Sequence, residues 1–189
     1  MKRLAIFASG SGSNAQQIVS YFADSQAISV NLFLSNNPQA GVIERGRKLG
    51  IPTLIFDKKT FTQTDKIVDL LQNQHIDYVI LAGFLWLIPA NLVKAFPNKI
   101  INIHPALLPK FGGKGMWGHF VHEAVVAAKE PESGITIHFV NENYDEGKVI
   151  FQAKCAILPT DSPQEVADKV LLLEHKYFPE IIEKVITTY

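Results

Sequence analysis

Apolar and polar positions follow two rhythms along this chain. Leu4–Ala8 is a continuous apolar run, the pattern of a strand buried on both faces, and Asn14–Ala23 then takes a helical spacing. Ile28–Leu34 predicts a second strand, Ala40–Leu49 a helix stopped by Gly50, and Thr53–Phe56 a short third strand. Thr64–His75 carries Ile67, Leu70, Leu71 and Gln74 on successive turns, which predicts an amphipathic helix. Tyr78–Ala82 reads as a central fourth strand, Pro89–Phe96 as a short helix opened by proline, and Ile100–Ile103 as a fifth strand ended by Pro105. Beyond Lys110 the texture changes. Phe111–Gly118 holds four glycines and predicts a mobile loop, and His119–Lys129 predicts a helix. Ile135–Val140 and Val149–Leu158 predict two strands, with Gly147 in their connection. Asp161 or Ser162 caps a last helix that has Pro163 at its first position and ends near Ile186, with Pro179 as a point of breakage or kinking. The whole predicts an α/β fold, with a mostly parallel sheet, helices on both faces and an antiparallel pair added in the C-terminal half. No repeat or linker interrupts the pattern, so one domain is expected over residues 1–189.

Composition narrows the class. Hydrophobic residues make up 47% and charged residues 19%, a globular mix that excludes a disordered chain or a coiled coil. Lys and Arg number 18, as do Asp and Glu, with no basic run, so no nucleic-acid partner is expected. No apolar run approaches the ~20 residues that span a bilayer, so no membrane is expected either. Leu4–Ala8 is too short for the core of a signal peptide, which makes the cytoplasm the expected location. Cys155 is the single cysteine, which excludes an intrachain disulfide and a multi-cysteine metal site; its apolar alternating surroundings predict a small buried residue.

The turn Ser9-Gly10-Ser11-Gly12-Ser13-Asn14-Ala15 joins a strand to a helix. Glycines there let backbone approach a ligand, and the helix N-terminus offers free N–H groups to an anion. A dinucleotide would want an acidic residue ~20 positions on, at the end of the second strand. That strand ends Ser35-Asn36-Asn37-Pro38 with no carboxylate, and no Gly-Lys-Ser/Thr ending marks a P-loop. A monophosphate fits better, with Ser13 and Asn14 adding side-chain bonds.

Asn102 and His104 lie two apart at the end of the fifth strand, so they project from one face while Ile101 and Ile103 take the other. Ligands of open α/β sheets bind beyond the carboxyl ends of the strands. There an asparagine can donate to a developing oxyanion and a histidine can move a proton near neutral pH. A carboxylate beside the imidazole would orient it and favour its charged form. Asn141-Glu142-Asn143-Tyr144-Asp145-Glu146-Gly147 offers three, and spacing does not choose among Glu142, Asp145 and Glu146.

Three segments together carry a resemblance: Gly10-Ser11-Gly12-Ser13-Asn14, Leu81-Ala82-Gly83-Phe84, and Asn102-Ile103-His104-Pro105-Ala106-Leu107-Leu108-Pro109. They resemble the formyltransferase family that uses 10-formyltetrahydrofolate, and within it the branch that acts on glycinamide ribonucleotide in purine biosynthesis. The resemblance runs from Lys2 to about Ile186. It implies a Rossmann-like formyltransferase fold and direct transfer of a formyl group to the amine of glycinamide ribonucleotide. It implies that Asn102, His104 and Asp145 are the catalytic trio. Gly12, Ser13 and Asn14 would hold the substrate phosphate, and Glu174 would contact the ribonucleotide. Leu85, Trp86, Leu87 and Ile88 would line the folate pterin pocket, with Asn141, Glu142, Asn143, Tyr144 and Asp145 as a folate-binding loop. The implied co-substrate is 10-formyltetrahydrofolate, with no metal. The implied partners are the two small-molecule substrates, and a homodimer is the assembly to test.

The chain departs from the family pattern at Trp86, where an arginine is expected, and in Phe111–Gly118, which is a few residues longer. The alternative readings are a formyltetrahydrofolate hydrolase or a formyltransferase acting on another amine. The hydrolase normally carries a preceding regulatory domain, which sets the expectation against it. His119 and His122 are one helical turn apart but lack the spacing of a zinc-protease pair, and His138 in its apolar strand reads as structural.

Overall fold

Five strands run parallel: β1 (Lys2–Phe7), β2 (Ile28–Ser35), β3 (Thr53–Ile55), β4 (Tyr78–Leu81) and β5 (Ile100–His104). β6 (Glu132–Phe139) and β7 (Val149–Ala156) extend the sheet antiparallel. The spatial order is β3-β2-β1-β4-β5-β6-β7, which puts β4 at the centre as predicted. Strand order reverses between β1 and β4, so a crevice opens there beyond the carboxyl ends. The computed structural model describes residues Met1–Thr188; Tyr189, the last residue of the expected domain, lies outside the described residues.

The helices are α1 (Ser13–Tyr21), α2 (Gly41–Leu49), α3 (Lys58–Gln63), α4 (Lys66–Asn73), α5 (Ala90–Ala95), α6 (His119–Ala127) and α7 (Pro163–Thr188). They cover both faces of the sheet because alternate strand residues point opposite ways. Leu4, Ile6 and Ala8 join Ile18, Val42, Val125 and Phe178 in one core. Ala5 and Phe7 join Phe61, Leu71 and Leu92 in the other. No helix among the described residues is long and apolar enough to cross a membrane.

Four local expectations change or narrow. The helix expected from Thr64 begins at Lys66, and a separate helix, α3, precedes it. Only Phe61 of α3 is buried, so α3 has no apolar rhythm to read; instead Asp57 caps it by accepting from the Thr60 N–H at 2.7 Å. α7 runs through Pro179 without a break. Pro179 is buried beside Phe178 and Ile182, and that packing outweighs one missing backbone bond. Ser162, not Asp161, caps α7, exchanging hydrogen bonds with Glu165 in a capping box, while Asp161 accepts from Leu158 N–H and pairs with Lys169. Cys155 is half-buried on β7, less enclosed than its apolar neighbours suggested.

Candidate active site

A cavity of about 800 Å³ lies over the crevice between β1 and β4. One end is the glycine turn. Gly12 sits at φ +76, and a Cβ there would fall 2.7 Å from the Val42 Cβ, so only glycine brings α1 this close to α2. Arg45 braces the turn by donating to the Ser11 carbonyl at 2.8 Å. Asn14 donates through Nδ2 to the Glu174 carboxylate at 2.6 Å, tying α1 to α7 across the cavity wall. Burial pushes the Glu174 carboxyl up to about 7, against the pull of the Asn14 bond.

The other end is where β5 meets β6. Asn102 and His104 do project from one face, with Ile101 and Ile103 in the core on the other. Of the three candidate carboxylates, only Asp145 reaches the imidazole: its Oδ2 is 3.5 Å from His104 Nδ1. Glu142 is exposed, and Glu146 accepts from the Asn143 amide instead. The backbone of the glycine-rich segment grips the pair. His104 Nε2 lies 2.7 Å from the Phe111 carbonyl oxygen, and the Gly113 N–H donates to Asp145 Oδ2 at 2.9 Å. Phe111 and Asp145 both adopt positive φ, at 56 and 55 degrees, the backbone cost of that aim. The segment predicted as mobile is thus tied at two points to the residues it covers.

These contacts assign protons. A carbonyl oxygen only accepts, so His104 carries its hydrogen on Nε2, and Nδ1, facing Asp145, is the nitrogen that gains a second proton. Burial lowers the His104 pKa, and Asp145 and the Phe111 carbonyl only partly oppose it. Burial thus favours the neutral ring, while Asp145 favours the charged one. Burial alone would raise the Asp145 carboxyl, but the His138 and His104 rings, whenever they carry charge, and the Gly113 N–H hold it below the usual carboxylate range.

The cavity brings together Gly12, Ser13, Asn14, Glu174, Asn102, His104 and Asp145, together with Leu85 and Tyr144 from the folate expectations. It does not bring in Trp86, Leu87 or Ile88, nor Asn141, Glu142 or Asn143. Trp86 instead packs against Phe56, Phe61 and Phe84, with ring centroids 6.0–6.3 Å apart. The wall near β4 is formed by Ala82, Gly83, Phe84 and Leu85. Two further histidines that sequence reading left outside the trio stand here. His122, buried at the start of α6, lines the cavity with its Nδ1 unpartnered. His138 meets Asn102 across the strand pair, Nε2 to Nδ2, at 3.0 Å. The signal for His138 was its even-numbered parity with Thr136, but strand register had to be known to use it. Among the described residues, no group of three or more His, Cys, Asp or Glu gathers to hold a metal ion.

Residues 2–182 match the model of the formyl transferase family. The chain belongs to the formyl transferase family. Within that family it is 44% identical over 187 residues to the chloroplastic phosphoribosylglycinamide formyltransferase of Arabidopsis thaliana, covering 96% of this chain and 64% of that one. The phosphoribosylglycinamide formyltransferase of Bacillus subtilis is 35% identical, with 98% of this chain and 95% of that protein covered. The chain spans less than two thirds of the length of the plant family members it matches, and nearly all of the Bacillus one. The crystal structure of the family member from Anaplasma phagocytophilum, a phosphoribosylglycinamide formyltransferase, superposes with a TM-score of 0.90 at 30% identity, over 98% of this chain and 87% of that one.

Proposed function

We propose that residues 1–189 form one formyltransferase domain that moves the formyl group of 10-formyltetrahydrofolate to the amine of glycinamide ribonucleotide, in the cytoplasm. The observation that carries this reading is the single cavity with two chemically different ends. The glycine turn with Asn14 and Glu174 suits a phosphorylated sugar, and Asn102, His104 and Asp145 suit acyl transfer. The names of family members similar over nearly the whole chain support formyl transfer to the same acceptor.

In this reading the amine nitrogen attacks the formyl carbon, and the carbonyl oxygen becomes an oxyanion. Asn102 donates an N–H to it, a type of contact typically worth ~10²–10³ in rate. The amine then sheds a proton to His104 Nδ1. The new imidazolium is paired with Asp145 through Nδ1, and the charges of Asp145 and of the oxyanion both favour it against the cost of burial. Collapse of the intermediate breaks the bond from the formyl carbon to the folate nitrogen, and that nitrogen takes up the proton. Every bond formed or broken is accounted for without a covalent enzyme intermediate. The folate lies along Phe84, Leu85 and Tyr144, with Trp86 packed against Phe84.

The test is a spectrophotometric assay with 10-formylated folate, with and without glycinamide ribonucleotide. Deformylation that requires the ribonucleotide and yields its formylated product is expected, in Asp145→Asn ~10²–10⁴-fold slower with both ligands still bound. Equal deformylation without ribonucleotide would make the chain a hydrolase, and turnover with a different amine only would move the acceptor assignment. Sedimentation of the same preparation reads whether it is a monomer or a homodimer.

A further inference from the structure

The antiparallel register of β5 and β6 sets Asn102 directly opposite His138, on the same sheet face. Their side chains meet at 3.0 Å between Nδ2 and Nε2, and His138 is 2% exposed. The second ring nitrogen, Nδ1, lies 2.8 Å from the Phe139 carbonyl oxygen. That oxygen only accepts, so Nδ1 carries the ring hydrogen and Nε2 of the neutral ring is a bare lone pair. A bare lone pair takes a hydrogen from the group facing it. The NH₂ end of the Asn102 carboxamide must therefore turn toward His138, and one N–H remains for a ligand in the cavity.

We propose that His138 is a positioning residue for the transfer reaction, which fixes the carboxamide of Asn102 so that its free N–H serves the oxyanion. This rests on the formyl-transfer reading of the site. Two neighbours make the ring's proton arrangement matter, not only its bulk. Asp145 Oδ1 lies 3.7 Å from the same Nε2, and His104 stands on the far side of Asp145. A ring with a hydrogen on Nε2 would donate to Asp145 and push the Asn102 N–H away. The Phe139 carbonyl prevents this in the neutral ring by claiming the hydrogen at Nδ1. Gly147 leaves room for that carbonyl: a Cβ there would lie 1.6 Å from the Phe139 oxygen and 3.3 Å from His138 Nδ1. The two site histidines thus hold opposite tautomers, His104 protonated on Nε2 and His138 on Nδ1, each set by one backbone carbonyl.

Nitrogen NMR of the intact chain with labelled histidine reads the tautomer directly. Neutral His138 with its hydrogen on Nδ1 is expected, and a hydrogen on Nε2 overturns the proposal. His138→Phe keeps the bulk and removes the acceptor. It is expected to lower kcat roughly 10–100-fold, short of losing the donor outright, with both KM values within about threefold of the parent. His138→Gln restores an acceptor and should recover most of that loss. In an Asn102→Ala background, His138→Phe should add nothing, because the residue it positions is gone. Effects that multiply in the double variant, or a His138→Gln as slow as His138→Phe, would show that the ring acts by another route. An unaltered chain inactive in the assay would remove the transferase reading instead, and the tautomer measurement would still decide how Asn102 is held.

Discussion

Glu174 shows how one residue links the cavity wall to stability. Its carboxyl sits in the cavity wall with Asn14 as its hydrogen-bond partner, and burial raises its pKa from the ordinary 4.5 to about 7. The folded protein therefore binds a proton there more tightly than the unfolded chain does. That stability is fully present below pH ~4.5 and is lost as pH rises through 7, at most roughly 3.5 kcal/mol at about 1.4 kcal/mol per pKa unit. Glu174→Gln removes this titration. The stability of the variant relative to the parent should grow between pH 4.5 and 7 and level off above, as followed by denaturant unfolding without ligand. A difference constant across that window would mean that Glu174 is charged in the folded state like an ordinary surface carboxylate. Two of the buried histidines, His104 and His122, work in the opposite sense. Burial lowers the pKa of both His104 and His122, so their contribution is present above about pH 6.5 and fades as pH falls.

Between elements, the segment that follows β5 is held by a strand it does not belong to. Thr136 of β6 donates through Oγ1 to the Ala106 carbonyl at 2.7 Å and accepts from the Leu108 N–H at 2.9 Å. Gln152 of β7 donates both to the same hydroxyl, at 2.8 Å, and to the Leu108 carbonyl, at 3.0 Å. One hydroxyl thus pins the chain immediately after His104, which is why Phe111 arrives under the imidazole. Thr136→Val keeps the shape and leaves two backbone groups without their partner. It should cost about 1–3 kcal/mol in unfolding free energy, with a drop in turnover as the Phe111 contact loosens. A loss well under 1 kcal/mol with unchanged turnover would mean that the segment holds its course without this bond. Sequence reading ended the fifth strand at Pro105 and said nothing of how the segment after it is held, because the anchor is 28 residues away.

The whole molecule is two cores sharing one sheet. Phe178 of α7 and Phe61 of α3 are both fully buried, on opposite faces. Truncation to alanine at either should cost about 3–5 kcal/mol. Because β1 and β4 contribute alternate residues to both cores, neither face can melt while the other persists. Both variants should therefore shift the same single cooperative transition, with near- and far-ultraviolet signals coincident. Separated transitions in Phe61→Ala would show that the layer of α3, α4 and α5 unfolds on its own.

What the amino-acid sequence determined by itself is whatever depends on neighbours along the chain. Apolar rhythm placed nearly every strand and helix, the glycines after β1 marked the turn that lines one end of the cavity, and a spacing of two set Asn102 and His104 on one face. α3 escaped because a single buried Phe61 makes no rhythm. Tertiary structure decided whatever depends on register and approach. It selected Asp145 over Glu142 and Glu146, drew His138 opposite Asn102, and kept Trp86 in an aromatic cluster away from the cavity. It also set the protons of His104 and His138 through the carbonyls of Phe111 and Phe139. The reason is physical: a hydrogen bond between strands, or between a loop carbonyl and an imidazole, is a relation between positions brought together by folding, and no periodicity in the chain encodes it.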